Sequence, residues 1–224
     1  MSAVYSPWCQ CHIDDGRVTL VGQMVQPDMQ GRAPIMCLVG PARVLQGAGL
    51  TRRSALEQIG GWDEGLRFWE CEEVAFRIAK AGRLECVSSA SPLYLWRQHR
   101  HKQYVGDVKA RYHVIPVALS WIDLILKGLD YKSLDEARLS VRDRQDILTS
   151  SSFWARELFR IDRTAFRKYL GNARKLDANL APTYPALLSA VSRHIGYESA
   201  EAIADIPRGL RDLLRKLLQG LRLR

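Results

Sequence analysis

The sequence lacks a long run of apolar residues, although 47% of its 224 residues are hydrophobic. Its nearest approach, residues 114–126, is interrupted by Pro116, Ser120 and Asp123, whereas a membrane-spanning helix needs about 18 or more apolar residues in succession. The N-terminus, MSAVYSPWCQC, lacks the basic start and apolar core of a signal peptide. These absences argue against a transmembrane helix and predict a cytoplasmic protein whose five cysteines are reduced thiols.

The sequence is also poor in paired metal ligands. Cys9-Gln10-Cys11-His12 invites a zinc interpretation, but tetrahedral zinc requires four ligands, usually in two close pairs. No second pair follows, because Cys37, Cys71 and Cys86 stand singly. The spacing instead predicts that Cys9 and Cys11 share one face of a strand and pack as small apolar residues.

Acidic residues are fewer than basic ones: the sequence has 24 Asp and Glu and 33 Lys and Arg, which gives a formal net charge of +9. Such a surplus suits nucleic acid, phosphorylated ligands or an anionic membrane. It is concentrated in residues 206–224, which contain no aromatic side chain. Single-strand nucleic-acid binders interleave aromatic with basic residues, so no nucleic-acid partner is expected.

Leucines in this basic segment recur at the spacing of one helix face, at positions 210, 213, 214, 217, 218 and 221. The predicted helix 207–221 has two interpretations. Its leucine face docks on the preceding helices, or the helix attaches to an anionic membrane surface with Arg208, Arg211, Arg215 and Lys216 facing the head groups. The sequence leaves both open.

The pattern of the chain changes near residue 105. Residues 1–105 mix α and β, with strands predicted at 3–11, 17–21, 84–87 and 93–96 and a hairpin turn at Asp14-Asp15-Gly16. Residues 106–224 contain helices only, predicted at 106–128, 133–149, 151–160, 162–176, 184–195 and 198–221. The sequence predicts an α/β region followed by an all-α region.

Two short helices are predicted within the first region, at 51–59 and 70–81. Ser54 and Glu57 fit a capping box at the start of the first, and Gly60-Gly61 fits its end. Gly82 ends the second helix.

The second helix begins with an acidic turn. Glu70 and Glu73 are three residues apart and share a helix face, and Arg77 can pair with Glu73. Carboxylates also suit the positive end of the helix dipole. Two interpretations follow: a stabilised surface helix, which composition favours, or the wall of a site in which a carboxylate faces an acceptor hydroxyl.

Residues 47–101 resemble a known family. The segment reads GAGLTRRSALEQIGGWDEGLRFWECEEVAFRIAKAGRLECVSSASPLYLWRQHRH. Four features of this segment are similar, in this order, to the family 2 glycosyltransferases with the GT-A fold. They are the Gly-containing loop, the helix and turn RRSAL…IGGWDE, the acidic helix WE…R that ends in AG, and the strand PLYLWRQH. The resemblance covers about residues 3–103. It implies a partial GT-A (Rossmann-like) sheet with flanking helices, followed by a helical tail.

Members of that family transfer a sugar from a nucleotide-activated donor to an acceptor hydroxyl, usually with inversion. A carboxylate takes the acceptor proton, and Mg²⁺ or Mn²⁺ neutralises the leaving diphosphate. The resemblance therefore implies a nucleotide-sugar donor, an acceptor that is lipid-linked in many relatives, and a role in cell-surface polysaccharide or glycan synthesis. It also implies a place at the inner face of the cell membrane.

The resemblance assigns substrate contacts to four residues outside the acidic turn. Gly47 would lie in the loop near donor and acceptor, and Trp69 would contact substrate. Arg97 would hold phosphate charge, and His99 lies where some relatives place a residue that touches the metal or the diphosphate. Taken alone, His99 and His101 lie in a basic run whose simpler interpretation is a solvated loop.

The acidic turn departs from the family pattern. Glu70 and its neighbours Glu72 and Glu73 correspond to the acceptor-side acidic motif, in which an Asp is the usual base. Cys71 occupies that position, and a thiol with a free pKa of about 8.5 does not replace a carboxylate. Either Glu70 or Glu72 serves as the base, or base catalysis is lost.

The second departure concerns the N-terminal half of the family domain, which carries nucleotide-binding βαβ units and an Asp-x-Asp metal motif. Only a few residues precede the first predicted strand, so about 90 or more residues of that half are expected to be missing. Asp14-Asp15-Gly16 does not replace the metal motif, because its context is a hairpin turn. The loss would leave strand edges exposed.

Two hypotheses for function follow. The chain is a glycosyltransferase that transfers sugar once the missing half is supplied. Alternatively, it is a truncated, catalytically inactive remnant that acts as an interaction module, which Cys71 and the missing metal motif favour.

Overall fold

The computed structural model describes residues 2–40, 44–82, 84–97, 107–182 and 186–204. The predictions for His99, His101 and helix 207–221 lie outside these residues. Within them, the strands are β1 Ala3–Tyr5, β2 Trp8–Asp14, β3 Arg17–Val25, β4 Gly49–Thr51, β5 Leu84–Cys86 and β6 Tyr94–Arg97. The helices are α1 Arg53–Gln58, α2 Glu70–Lys80, α3 Asp107–Gly128, α4 Val141–Ile161, α5 Arg163–Leu176, α6 Ala186–Ile195 and α7 Tyr197–Ala204. The mixed α/β class is confirmed.

The strands form two three-stranded sheets, in the orders β4-β1-β5 and β3-β2-β6. In each sheet the central strand has one antiparallel and one parallel neighbour: β1 pairs with β4 and β5, and β2 pairs with β3 and β6. The single strand predicted at 3–11 was therefore wrong. Pro7 lies between β1 and β2, and because proline has no backbone N–H to donate, the chain leaves one sheet there and enters the other.

Two of the predicted turns are confirmed. Asp15 and Gly16 have φ values of 47° and 77°, the left-handed pair that closes a two-residue hairpin between β2 and β3. Gly60 and Gly61 end α1, with the Gly61 N–H donating to the Leu56 carbonyl at 2.8 Å. The predicted capping box was wrong, because α1 begins after Arg52 and no side chain caps it.

The helical region differs from its prediction at α4. One helix runs from Val141 to Ile161, where two were predicted at 133–149 and 151–160. Ser151 and Ser152 do not break it, because they are buried at its contact with other helices. Tyr169 donates its hydroxyl hydrogen to the Ser151 carbonyl at 3.2 Å, and Tyr197 donates to the Ser152 carbonyl at 3.4 Å.

The larger hydrophobic core joins the helices to the first hundred residues. The turn Pro34–Leu38 inserts buried side chains among α3, α4 and α5. The Trp121 indole N–H donates to the Leu38 carbonyl at 2.7 Å. The packing therefore crosses the boundary predicted near residue 105. Among the helices in the described ranges, none is both long and apolar enough to cross a bilayer.

A buried ion pair fixes the same contact. The Arg32 guanidinium, 3% exposed, bonds Asp143, which is 2% exposed, and Asp146. Asp143 also accepts a hydrogen bond from the Ala33 backbone N–H at 3.1 Å. Loss of Arg32 would leave the buried Asp143 carboxylate without its cation, and an uncompensated buried charge costs about 3–5 kcal/mol.

This arrangement predicts that Asp143→Asn lowers the free energy of unfolding by about 1.5–3 kcal/mol, because Arg32 loses a charge-assisted hydrogen bond but keeps Asp146 as its partner. Asp28→Asn is the matched control, because the Asp28–Arg142 pair is exposed at both ends and such pairs contribute about 1 kcal/mol or less. Urea denaturation of the three proteins measures both values. Equal losses for the two variants would contradict the assignment.

Candidate functional site

Helix α2 lies against the sheet β4-β1-β5. Its inward residues Val74, Ala75 and Ile78 pack with Ala3 and Tyr5 of the central strand. Ile78, near the end of α2, lies beside Ser2 at the start of β1, so helix and strand run in opposite directions. The first turn of α2 therefore lies at the carboxyl end of the parallel pair β1 and β5.

Four consecutive side chains of this first turn have four different environments. Glu70 is exposed, and the part of the chain that the structure describes offers its carboxylate no hydrogen bond or ion pair. Cys71 is half-buried, whereas Glu72 is buried, with 7% of its surface exposed. Glu73 is paired with Arg77. Of the three predicted catalytic carboxylates, only Glu70 is available to a ligand from solvent.

Cys71 and Glu72 turn towards Tyr5, the last residue of β1. Burial raises the pKa of the Tyr5 hydroxyl well above its ordinary value, and the neighbouring groups of Cys71 and Glu72 act in the same direction. Cys37 belongs to this cluster, and burial raises the pKa of its thiol well above the ordinary value. These titratable groups meet under the first turn of α2, and the burial of Tyr5 and Cys37 favours their neutral forms.

The Arg77 cluster connects α2 to the end of α1. The guanidinium donates to both carboxylate oxygens of Glu73, at 2.6 and 2.7 Å. It also donates to the backbone carbonyls of Ile59, at 2.5 Å, and Gly61, at 2.7 Å. The predicted pairing of Glu73 with Arg77 is confirmed. The planar guanidinium bonds a carboxylate of α2 and two carbonyls of the turn after α1 together, so it fixes α2 in place. Both carboxylate oxygens of Glu73 are engaged in this pair, which makes Glu73 a poor candidate for a general base.

The Gly47 loop lies beside the first turn of α2. Residues Gln46–Ala48 form one tight turn, and the Ser6 backbone N–H and hydroxyl both donate to the Ala48 carbonyl at 2.9 Å. A Cβ on Gly47 would lie 2.5 Å from the Tyr94 hydroxyl oxygen, and a Cβ on Gly49 would lie 2.5 Å from the Tyr5 ring. At both glycines, a tyrosine side chain occupies the space that a Cβ would need.

Trp69, the residue before α2, has a packing role. Its backbone is left-handed, with φ 68°. Its indole N–H donates to the Val117 carbonyl of α3 at 2.9 Å, and its ring meets Trp154 edge-on at 6.0 Å. These contacts hold the start of α2 against the helices. The substrate contact implied for Trp69 stays a prediction.

Arg97, which the resemblance implies as a phosphate contact, does not lie beside the Gly47 loop. Arg97 is exposed at the end of β6, and the alternation of side chains along a strand places it on the face opposite Trp96. Tyr94, on the same face as Trp96, is the residue that meets Gly47. The structure therefore separates Arg97 from the Gly47 loop.

Cys9 and Cys11 lie on β2, 1% and 0% exposed, as expected for small packed side chains. Within residues 2–40, 44–82, 84–97, 107–182 and 186–204, no three His, Cys, Asp or Glu side chains approach closely enough to hold a metal ion. The described residues therefore do not fit the divalent cation that the family resemblance implies.

Sequence reasoning missed Tyr5 and Tyr94 as parts of the site. The available signal was the pair Gly47 and Gly49, two residues apart in a segment that returns to the sheet. A glycine pair at that spacing marks two points where other groups approach the backbone.

No family model, curated protein or solved structure matches the chain.

We predict that Gly47→Ala destabilises the protein by about 1–3 kcal/mol, the usual cost of overpacking, because its methyl group would overlap the Tyr94 hydroxyl. Gly171→Ala is the matched control, since a Cβ at this position of α5 meets no atom. It should stabilise by about 0.5–1 kcal/mol. Thermal or urea unfolding measures both changes, and a neutral Gly47→Ala would refute the close contact.

Thiol labelling tests the cluster under α2. Thiolates are the reactive species, so Cys37, whose pKa is raised by burial, should react at least about tenfold more slowly than half-buried Cys71 in the folded protein. Mass spectrometry after timed iodoacetamide treatment at neutral pH assigns the rates. Equal rates at Cys37 and Cys71 would contradict the structure, and unfolding in urea should equalise them.

Proposed function

We propose that the chain is a family 2 glycosyltransferase-like protein with a partial GT-A sheet, and that the first turn of α2 and the Gly47 loop form its acceptor-side wall. The observation that carries the proposal is their meeting at the carboxyl end of the parallel strands β1 and β5. In open α/β sheets, ligands bind outside the carboxyl ends of the strands. The ordered resemblance over residues 47–101 supports the same location.

Glu70 is the residue that we propose as general base. A base must lie within hydrogen-bond reach of the proton that it takes, and the exposed Glu70 carboxylate is unengaged by the described residues. The amino end of α2 favours its ionised form. Glu70 would accept the proton from the acceptor hydroxyl as that oxygen attacks the sugar. Cys71, at the family's base position, instead faces the Tyr5 cluster.

The proposal covers the acceptor side only. The described residues do not fit a divalent cation, so we derive no step through a metal ion or through the leaving diphosphate. A lipid-linked acceptor, and contact of segment 207–221 with the inner face of the cell membrane, belong to the same proposal. They rest on the sequence of that segment and on the family resemblance.

A second candidate function is an interaction module without catalysis. Cys71 at the base position favours it, as does Leu50 on the outer strand β4, which is 82% exposed. An apolar side chain on an unpaired strand edge is a common site of association. The two functions differ in whether nucleotide-sugar is consumed.

The enzyme hypothesis predicts that the chain, once supplied with the nucleotide-binding half that the family resemblance implies, releases nucleoside diphosphate from one member of a panel of nucleotide-sugars when a hydroxyl acceptor is present. Glu70→Gln should lower that rate by about 10²-fold or more, the usual contribution of a general base. Glu57→Gln is the matched control: Glu57 is exposed on α1 and pairs only with exposed Arg53 among the described residues.

Cys71→Asp should leave the rate nearly unchanged, because position 71 faces the Tyr5 cluster and a carboxylate there would not reach the acceptor hydroxyl. In that background Glu70→Gln should therefore lower the rate as much as it does in the natural chain. Absence of nucleotide release by the reconstituted protein, with every donor, would overturn the proposal and favour the interaction module.

A further inference from the structure

The sheet β3-β2-β6 has two chemically different faces. Along β2, Trp8, Gln10 and His12 alternate with Cys9, Cys11 and Ile13. The register pairs Trp8 with Tyr94 and Gln10 with Trp96, so the side chains of these five residues, Trp8, Gln10, His12, Tyr94 and Trp96, share one face. We name this face the aromatic platform. The opposite face carries Cys9, Cys11 and Ile13 of β2, with Leu95 and Arg97 of β6 beside them.

Two indoles form the centre of the aromatic platform. The rings of Trp8 and Trp96 meet edge-to-face with centroids 5.8 Å apart. Trp8 is 7% exposed, and its indole N–H has no hydrogen-bond acceptor among the described residues. Trp96 is 36% exposed. The buried Trp8 ring thus packs against the partly exposed Trp96 ring and supports its position. This is a fixed, amphipathic surface of the kind that binding sites use.

The aromatic platform is continuous with the proposed acceptor-side wall. Tyr94 lies at its near end, with its hydroxyl oxygen against Gly47. From there the platform extends along the strands: from Trp8 to His12 is four residues, or about 13 Å. An extended ligand lying on this face would therefore end at the Gly47 loop, beside Glu70 and Cys71.

We propose that the aromatic platform binds a carbohydrate chain, and that this chain is the acceptor whose terminal hydroxyl reaches the α2 wall. The role as acceptor rests on the proposed function; the binding does not. The apolar C–H face of a sugar ring stacks on an indole, and its hydroxyl groups pair with amide and imidazole groups such as those of Gln10 and His12.

The composition of the aromatic platform distinguishes this ligand from nucleic acid. Single-stranded nucleic acid also stacks on aromatic rings, but it requires cationic side chains that follow the phosphates. None of the five platform residues is Lys or Arg. Arg17 of β3 shares this face, but it lies opposite Asp14, so the described strands supply no row of cations for phosphates. A neutral, hydroxyl-rich ligand matches the mixture of indole, phenol, amide and imidazole.

The test uses the full chain without any nucleotide-sugar. An array of immobilised neutral and N-acetylated oligosaccharides identifies the bound glycan, and tryptophan fluorescence titration with that glycan gives its affinity. Trp96→Ala should lower the affinity by about tenfold or more, as expected for a central aromatic contact. Trp96→Phe should retain most of it, because a ring remains.

Trp62→Ala is the matched control. Trp62 is a tryptophan of similar exposure, 42%, in the loop between α1 and α2, off the aromatic platform. Its removal should change the affinity by less than about twofold. Circular dichroism confirms that each variant is folded. Equal losses for Trp62→Ala and Trp96→Ala, or no glycan bound by the natural chain, would overturn the inference.

The outcomes also separate this inference from the proposed function. Glycan binding that requires Trp96, in a chain whose reconstituted form consumes no nucleotide-sugar, would support the aromatic platform and remove the enzyme proposal. Sugar transfer that is unchanged by Trp96→Ala would do the reverse. A single-stranded DNA oligonucleotide that binds more tightly than any glycan, and loses affinity in Trp96→Ala, would replace carbohydrate with nucleic acid.

Discussion

The Arg77 guanidinium is the constraint on which the candidate site depends. It bonds both oxygens of Glu73 and the backbone carbonyls of Ile59 and Gly61, so one planar group joins α2 to the turn that ends α1. Most of both side chains is buried, with 24% of Arg77 and 13% of Glu73 exposed. A bidentate, charge-assisted pair in such surroundings is stronger than an exposed helix pair.

The position of α2 has direct chemical consequences. With Glu73 engaged and Glu72 buried, the acidic turn presents one carboxylate, Glu70, to solvent, while Cys71 faces the Tyr5 cluster. The Gly47 loop lies beside this turn. Tyr94 packs against the loop, in the space that a side chain on Gly47 would need. Structural and functional interpretations of the acidic turn are therefore compatible: one glutamate holds the helix and another stays exposed to solvent.

Local signals predicted much of this fold, and long-range packing accounts for what they missed. The Gly60-Gly61 stop, the Asp15-Gly16 hairpin and the Glu73–Arg77 pair depend on neighbours in sequence, and each was predicted correctly. The division of strand 3–11 between two sheets depends on distant partners, β5 and β6. Ser151 remains helical because it is buried where α4 packs against other helices, and Tyr169 donates a further hydrogen bond to its carbonyl. Likewise, Glu70 and Gly47 were found from motif order, whereas Tyr5 and Tyr94 enter the site only through tertiary contacts.

Amide hydrogen exchange in Arg77→Gln tests the central constraint most directly. The Gly61 N–H, bonded to Leu56, and the Glu73 N–H, bonded to Trp69, should exchange about 10- to 100-fold faster, since each charge-assisted hydrogen bond contributes about 1.5–3 kcal/mol. Arg167→Gln, which removes an exposed pair with Glu198, should leave both amides unchanged. Unchanged exchange at Gly61 and Glu73 in Arg77→Gln would contradict the account.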